Sequence, residues 1–277
     1  MLRNLFKSAL NARPRTDAAA LYLDLLKACL TNSIYADDLD LRTGVNRFDA
    51  ISGKIVSVEA GAADPDAAFR GAIWPSRAHT MIGRPRLDNL QYCLERVIEQ
   101  RVPGDFIETG VWRGGACIFM RAVLKVYGVR DRSVWVADSF EGLPEADAAK
   151  HPYDRRLNLH QAAALAVSAD EVRENFVRYS LLDDQVHFLK GWFRDTLPSA
   201  PIERLAVLRL DGDHYESTMD ALNSLYAKLS VGGYVIVDDY GVVEGCNIAI
   251  SDFRRLHGVV DEIEAIPGGG AFWQRRS

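Results

Sequence analysis

The sequence is poor in cysteine, and the few cysteines it has are scattered. Its 277 residues include four isolated ones, with no C-x-x-C pair, at Cys29, Cys93, Cys117 and Cys246. Disulfide frameworks and cysteine zinc sites need clustered or regularly spaced thiols. The pattern therefore argues against both and predicts reduced thiols, as expected of a protein of the cytoplasm.

Long apolar runs are also missing. No stretch approaches the roughly 20 consecutive apolar residues of a membrane helix. The first residues, MLRNLFKSALNARPRT, are basic and weakly amphipathic, without the apolar core and small-residue cleavage site of a secretory signal. We therefore expect a cytoplasmic location and no membrane partner.

The chain has slightly fewer basic than acidic residues. The chain has 33 Lys and Arg against 38 Asp and Glu, a net charge of −5 at pH 7. A nucleic-acid-binding protein usually presents a basic face, so we expect no nucleic-acid partner. The acidic balance also predicts that any cluster of carboxylates lacks basic neighbours to neutralise it.

Several catalytic signatures are absent. The sequence has no G-x-S-x-G elbow, no P-loop and no H-E-x-x-H helix, which argues against the corresponding hydrolases and nucleotide triphosphatases. It also lacks the G-x-G-x-x-G spacing of a dinucleotide site. An NAD-dependent oxidoreductase is therefore disfavoured.

The two parts of the chain differ in hydrophobic patterning. Residues 1 to about 100 carry two amphipathic helical patterns, in TDAAALYLDLLKACLTNSIY and RLDNLQYCLERVIEQRV. From residue 105, helical patterns alternate with short apolar runs, which are DFIETGV, SVWVADSF, VHFLKGWF, LAVLRLDGD and YVIVDDYG. Such near-continuous apolar runs are typical of parallel strands covered on both faces.

This alternation predicts a doubly wound α/β fold. Helices are expected over 114–127, 168–182, 215–229 and 246–257. The C-terminal segment VVDEIEAIPGGGAFWQRRS predicts two further strands that form a hairpin at one edge of the sheet. Ligands of such folds bind beyond the carboxyl ends of the strands, so the polar residues that follow each strand are candidates for a site.

The first two strands end in residues suited to a small-molecule ligand. Glu108 and Gly110 follow the first, and Gly114 opens the next helix, where glycines let the backbone approach a ligand. A tight turn without a ligand explains the same glycines equally well. Asp138 ends the second strand, where its carboxylate could accept hydrogen bonds from ribose hydroxyls or cap a helix. Together these residues favour an adenosine-type cofactor.

Two later strands end in pairs of aspartates. Asp211 and Asp213 follow one strand, and Asp238 and Asp239 follow the other. If these strands are neighbours, three of the carboxylates converge, and a cation would offset their repulsion. An all-oxygen site suits Mg²⁺ or Ca²⁺ better than zinc. The structural alternative is that Asp239 caps a helix while the first pair lies in a turn.

Five motifs together resemble the macrocin O-methyltransferase family: RAHTMIGRPRLDN, DFIETGVWRGGA, ADSFEGLP, RLDGDHYEST and GGYVIVDDYG. The resemblance extends from LYLDLLKACLTNSIY to the C-terminus. It implies an enzyme dependent on S-adenosyl-L-methionine and Mg²⁺ that methylates a sugar hydroxyl of a glycosylated natural product in antibiotic biosynthesis. It also implies a helical lid region over residues 1–100 and a Rossmann-like methyltransferase domain, with a mostly parallel seven-stranded sheet, over 101–277.

The resemblance assigns roles to residues within these motifs. Asp211, Asp238 and Asp239 match the metal ligands, and Asp213 matches the general base. The residues that match cofactor contacts are Thr80, Met81, Glu108, Thr109, Gly110, Gly114, Asp138, Ser139 and Asp211.

Two other functions compete with this assignment. A catechol-type O-methyltransferase would use the same fold and cofactors on a phenolic diol, in a flatter and more aromatic pocket. A cofactor-binding protein without turnover would have no need for four clustered carboxylates. The segments 44–76 and 145–165 are expected to shape the acceptor pocket. Family members are commonly dimers or larger, so we expect a homo-oligomer.

Overall fold

The structure is a computed structural model that describes residues 18–41, 46–49, 54–57, 66–147, 149–155 and 157–277. The α-helices in these residues are α1 (Ala18–Leu30), α2 (Ala67–Arg70), α3 (Gly83–Glu99), α4 (Gly115–Val126), α5 (Ala169–Arg178), α6 (Phe193–Thr196), α7 (Tyr215–Leu225) and α8 (Glu244–His257). The strands are β1 (Asn46–Asp49), β2 (Lys54–Ser57), β3 (Asp105–Thr109), β4 (Val134–Asp138), β5 (Val186–Lys190), β6 (Leu205–Leu210), β7 (Leu229–Val237), β8 (Glu264–Ala265) and β9 (Ala271–Gln274). Over the described ranges, no helix combines the length and the apolar character needed to cross a bilayer.

Seven strands form one sheet in the order β5-β4-β3-β6-β7-β9-β8. Strands β3 to β7 run parallel to their neighbours, and β9 is antiparallel to both β7 and β8. The predicted doubly wound sheet with a C-terminal hairpin at its edge is therefore confirmed. The chain runs outward from β3 to β5 and then returns to add β6 on the other side of β3. This reversal marks the place where such folds bind ligands.

The register of the central strands aligns their carboxyl ends. Thr109 pairs with Leu210, and Leu210 pairs with Val237. The ladder continues one step further, because the backbone N–H of Asp211 donates to the carbonyl of Thr109 and that of Asp238 to the carbonyl of Leu210, both at 2.9 Å. The two aspartate pairs therefore follow adjacent strands, as the sequence predicts.

Helices cover both faces of the sheet, so the strands are buried on both sides. Every residue of β6 is buried. Successive residues of β3 point to opposite layers: Phe106 packs in one apolar cluster with α1, α3, α4 and α5, whereas Ile107 packs in another with α7 and α8. This three-layer arrangement explains why the strands are continuous apolar runs rather than alternating ones.

The predicted helices occur with shifted ends. The hydroxyl of Ser168 accepts a hydrogen bond from the backbone of Glu171 at 3.2 Å and so begins α5, a capping pattern readable from sequence. The helix ends at Arg178 rather than at 182, because Ser180 has a φ of 55° that interrupts helical geometry. Likewise α7 ends at Leu225 and continues as a 3₁₀ turn to Lys228.

The N-terminal part contains an element that the sequence patterns did not indicate. Strands β1 and β2 pair antiparallel, with Asn46 opposite Ser57 and Asp49 opposite Lys54. Four residues per strand are too few to show a clear alternation of apolar and polar positions. Leu23 of α1 and Leu90 of α3 share the apolar cluster of the sheet, so these helices pack on the α/β core. The division of the chain at residue 100 stays a prediction.

Candidate active site

A cavity of about 410 Å³ lies at the carboxyl ends of the central strands. Ten of the residues predicted from sequence line it: Thr80, Met81, Glu108, Gly110, Asp138, Ser139, Asp211, Asp213, Asp238 and Asp239. Two others, Thr109 and Gly114, lie outside its wall. Thr109 is buried with its Oγ1 3.5 Å from the carbonyl of Arg209, and a Cβ on Gly114 would lie 2.7 Å from Val172 of α5. For these two residues, the cofactor contact stays a prediction without support from the cavity.

Three aspartates converge at one end of the cavity. Asp211, Asp238 and Asp239 each offer one carboxylate oxygen, and these three atoms lie within 4.8 Å of one another. Elsewhere in the described ranges, no group of three His, Cys, Asp or Glu side chains meets this condition. A set of carboxylate oxygens at this spacing fits a hard divalent cation such as Mg²⁺ or Ca²⁺.

Two arginines lie within this cluster, so the prediction that it lacks basic neighbours was wrong. Arg209 Nη1 lies 2.7 Å from Asp211 Oδ2 and 2.5 Å from Glu108 Oε1, while its Nη2 contacts Asp238 Oδ1. Arg86 Nη1 contacts the other oxygen, Asp238 Oδ2. Both guanidinium groups thus offset part of the carboxylate repulsion.

Burial and mutual repulsion raise the pKa values of two of these carboxylates. Burial raises the pKa of Asp211 to about 6, and Asp238 adds to the shift while Arg209 opposes it. Asp211 keeps a quarter of its side chain exposed and lines the cavity. Burial, together with Asp213 and Asp211, also holds the pKa of Asp239 well above its usual range. Bringing these carboxylates together is therefore unfavourable unless protons or cations accompany them.

Asp213 faces the same cavity from the turn between β6 and α7. Its backbone N–H donates to Asp239 Oδ2 at 2.9 Å, and its φ is 57°, a left-handed conformation that aspartate tolerates better than most residues. Burial raises its pKa to about 7, with Asp211 and Asp238 adding to the shift. The carboxylate thus has a raised proton affinity beside the aspartate cluster.

His214 and Tyr215, which follow Asp213, are outside the cavity wall. His214 is buried as the N-cap residue of α7. The backbone N–H of Tyr215 donates to Asp154 at 2.9 Å, and its hydroxyl lies 3.2 Å from Asp252. Tyr215 therefore ties the start of α7 to Asp154 and to α8, whereas the His214 side chain makes no capping hydrogen bond.

Glycines allow close backbone packing between the β3–α4 loop and its neighbours beside the cavity. A Cβ on Gly110, whose φ is 89°, would lie 1.8 Å from the carbonyl oxygen of Asp211. A Cβ on Gly115 would lie 2.5 Å from the carbonyl of His79, to which the Gly115 N–H donates at 3.0 Å. The β3–α4 loop therefore packs directly on both the aspartate strand and the segment that carries Thr80.

Glu108 lies beneath this loop, between the guanidinium of Arg209 and the thiol of Cys117. Its Oε1 contacts Arg209, and its Oε2 accepts a hydrogen bond from Cys117 Sγ at 3.0 Å. Burial raises its pKa to about 7, although Arg209 opposes the shift. Through Arg209, Glu108 is linked to Asp211 and Asp238 on the neighbouring strands.

Asp138 and Ser139 organise the adjoining loops. Asp138 Oδ2 accepts from the backbone N–H of Val111 at 2.7 Å, and its Oδ1 from that of Phe140 at 2.8 Å. The hydroxyl of Ser139 donates to the carbonyl of Gly142 at 2.7 Å. Each carboxylate oxygen retains acceptor capacity for a ribose hydroxyl. That ribose contact stays a prediction.

The remaining wall mixes apolar and aromatic side chains with charged ones, which include Arg194, Glu216 and Asp220. Part of it comes from the two regions expected to shape the acceptor pocket: Trp74 lies in the first, and Leu159 and Leu165 lie in the second. Most of residues 44–65 lie outside the described part of the chain. Trp192 and Phe193, which follow β5, complete the wall. The cavity therefore combines the carboxylate cluster, the adjoining Gly110 loop and a wall of mixed apolar and charged side chains.

Comparison with known sequences identifies the family of this chain. The profile of the macrocin-O-methyltransferase (TylF) family matches residues 19–275. The 8-demethyl-8-(2,3-dimethoxy-alpha-L-rhamnosyl)-tetracenomycin-C 4'-O-methyltransferase of Streptomyces olivaceus is 54% identical over 93% of this chain and 94% of its own. The mycinamicin III 3''-O-methyltransferase of Micromonospora griseorubida is 51% identical over 92% of this chain and 96% of its own.

Solved structures agree. The O-methyltransferase NovP has a TM-score of 0.82 and 48% identity, covering 94% of this chain and 100% of its own. The calicheamicin methyltransferase CalS11 supports the fold alone, with a TM-score of 0.55 and 22% identity over 68% of this chain and 78% of its own. The chain therefore belongs to the macrocin O-methyltransferase family, as its motifs predict, and is a methyltransferase.

Proposed function

We propose that this chain transfers the methyl group of S-adenosyl-L-methionine to a sugar hydroxyl of a glycosylated natural product, as a tailoring step in antibiotic biosynthesis, with Mg²⁺ bound at the site. The observation that carries the proposal is the single cavity in which the Asp211, Asp238 and Asp239 oxygens lie beside the Gly110 loop. The relatives support the substrate class, because one is named for a rhamnosyl-bearing tetracenomycin and another for mycinamicin III.

The cofactor would lie beside the loop between β3 and α4. Gly110, Asp138 and Ser139 all line the cavity, and the space next to the Gly110 α-carbon is filled by the Asp211 carbonyl. Thr80 and Met81 face this space from the segment that packs on Gly115. Asp211, Asp238 and Asp239 would hold the cation. When bound, the cofactor supplies an electrophilic methyl group, and the cation supplies positive charge that lowers the pKa of a nearby hydroxyl.

The chain's own residues then handle the proton and the alignment. Asp213 would accept the hydroxyl proton, since burial among carboxylates raises the proton affinity of its side chain. The Asp239 contact to the Asp213 backbone fixes the turn that carries this base. Trp192 and Phe193 would pack on the acceptor and exclude water, which helps to hold the hydroxyl in line with the methyl group.

The proposal also includes a cytoplasmic homo-oligomer, a dimer or larger. The four cysteines are free thiols, which suits a reducing compartment. On α1, Leu21 and Leu25 are 65% and 57% exposed, and apolar side chains of this kind are common in subunit contacts. A lid formed within residues 1–100 is likewise part of the proposal, supported by the cavity-lining residues between 71 and 86.

The acceptor class is tested by turnover on a panel of compounds. We would measure S-adenosylhomocysteine release with several deoxysugar-bearing natural products and with simple catechols, and locate the new methyl group by NMR. We expect turnover on at least one glycoside, with methylation of a sugar oxygen. Turnover on catechols alone would replace the proposal by the catechol-type alternative.

A further inference from the structure

Arg86, on α3, connects the aspartate cluster to one wall of the cavity. Its Nε donates to the carbonyl of Ile82 at 2.7 Å, and its Nη2 to the carbonyl of Gly71 at 2.9 Å. The third nitrogen, Nη1, contacts Asp238 Oδ2. Its side chain is 11% exposed and that of Asp238 is 8% exposed. One guanidinium therefore joins the proposed cation ligand to both ends of the segment 71–82.

Arg86 packs tightly against the segment 71–82. A Cβ on Gly71, whose φ is 71°, would lie 2.4 Å from Arg86 Nη2 and 2.5 Å from the carbonyl oxygen of Ile82. A Cβ on Gly83 would lie 2.4 Å from the Gly71 nitrogen. The segment also lines the cavity through residues 71–74 and 80–82. A displacement of the Arg86 guanidinium would therefore be transmitted to the cavity wall.

Both oxygens of Asp238 contact guanidinium groups. Arg209 contacts Asp238 Oδ1 and also pairs with the carboxylates of Glu108 and Asp211. Only 1% of the Arg209 side chain is exposed. Arg86, at Oδ2, is otherwise bound only to main-chain carbonyls among the contacts of the described residues. A divalent cation at Asp238 repels both arginines, because like charges at short range oppose one another. Of the two guanidinium groups, we expect that of Arg86 to move, because it is bound to the segment 71–82 rather than to the sheet.

We propose that Arg86 is a positioning residue that couples cation binding at Asp238 to the position of the segment 71–82. The inference rests on the proposed function, since it takes Asp211, Asp238 and Asp239 as the cation ligands. In the cation-free protein Arg86 acts as the counter-charge of Asp238 and tethers the segment. Cation binding weakens the tether, and by linkage a tethered segment weakens cation binding.

The test measures Mn²⁺ binding directly, by the loss of the free-ion EPR signal. Arg86→Gln removes the charge and the tether, whereas Arg86→Lys keeps the charge but not the three-way contact. The matched control is Arg84→Gln on the same helix, because Arg84 pairs with Asp24 and Asp88 at the surface. We expect Arg86→Gln to bind Mn²⁺ about tenfold more tightly than the wild type, because a competing positive charge is removed. Arg86→Lys keeps the charge but releases the tether, so by linkage its Mn²⁺ affinity should lie between those of the wild type and Arg86→Gln. Arg84→Gln should stay within about twofold of the wild type.

Hydrogen exchange of the 71–82 amides reports the tether separately. In the wild type and in Arg84→Gln, saturating Mn²⁺ should increase exchange in this segment. In both Arg86 variants, exchange should already be raised without Mn²⁺ and should no longer respond to it. A role of Arg86 in folding alone would instead weaken Mn²⁺ binding and raise exchange throughout the protein.

The outcomes separate this inference from the proposed function. If the wild type binds Mn²⁺ but Arg86→Gln binds it no more tightly than Arg84→Gln, the coupling is overturned and the cation site stands. If the wild type binds no Mn²⁺, both the cation site and the coupling are overturned. An unchanged exchange pattern in Arg86→Lys would also overturn the tether.

Discussion

Replacing Arg209 with methionine should lower the free energy of unfolding by about 3–5 kcal/mol, because it leaves buried carboxylates without the guanidinium they share. Arg209 contacts Glu108, Asp211 and Asp238, and only 1% of its side chain is exposed. Methionine replaces the aliphatic stem of arginine but not its guanidinium, so the loss reports mainly the missing charge and its hydrogen bonds. Chemical denaturation at pH 8 measures the effect.

The loss should depend on pH in a defined direction. Burial already raises the pKa values of Glu108 to about 7 and Asp211 to about 6, and Arg209 opposes both shifts. Without Arg209, the folded state holds these protons still more tightly than the unfolded state does. Stability then falls as the pH rises from the ordinary carboxyl pKa, about 4, through the raised values. We therefore expect a smaller deficit at pH 5 than at pH 8.

Arg204→Met is the matched control, because Arg204 lies exposed just before the same strand. Exposed substitutions of this kind usually change stability by no more than about 0.5 kcal/mol. If Arg209→Met were as stable as Arg204→Met at pH 8, the buried charge network would not stabilise the fold.

Asp213→Asn should reduce turnover by about 10²–10⁴-fold while S-adenosyl-L-methionine binding stays within about twofold, the range expected for loss of a general base. Asparagine tolerates the left-handed backbone of this position, where φ is 57°, so the turn is preserved. It also removes one of several mutually repelling carboxylates, so the variant should be no less stable than the wild type. Steady-state kinetics and calorimetric cofactor binding measure the two effects.

Asp184→Asn serves as the control, because Asp184 is exposed near the amino end of β5, at the opposite edge of the sheet from the cavity. Its kinetics should match those of the wild type. Near-normal turnover in Asp213→Asn would remove Asp213 from the role of base and leave the aspartate cluster as a cation site alone.

The convergence of the aspartates was predictable because parallel strands fix it. Apolar runs that end in carboxylates imply strands whose ends meet at one edge of a sheet. The pairing of Leu210 with both Thr109 and Val237 realises this arrangement. Sequence therefore predicted both the fold and the shared position of Asp211, Asp238 and Asp239.

The sequence analysis missed both arginines that neutralise the aspartate cluster, although the position of Arg209 could have been noticed. Arg209 stands within the apolar run LAVLRLDGD, and a charged residue in a strand buried on both faces needs a partner. Arg86 had no comparable signal, because GRPRLDN does not distinguish it from Arg84 on the protein surface. Only the tertiary packing of α3 against the sheet brings Arg86 to Asp238.

Local sequence patterns also failed to predict features that depend on tertiary contacts or on very short elements. Gly114 looked like part of a ligand loop, but its missing side chain makes room for Val172. Strands β1 and β2 were too short to show a period. The apolar part of the cavity wall combines Trp74, Leu159 and Trp192 from separate segments, and no spacing along the chain links them.

Turnover with and without a divalent cation tests the proposed metal site most directly. S-adenosylhomocysteine release on an accepted glycoside would be measured in Mg²⁺, after EDTA, and after Mg²⁺ is restored. If Asp211, Asp238 and Asp239 hold a cation that the reaction needs, EDTA abolishes turnover and Mg²⁺ restores it. Turnover undiminished by EDTA would contradict the account, and the aspartate cluster would then need another explanation.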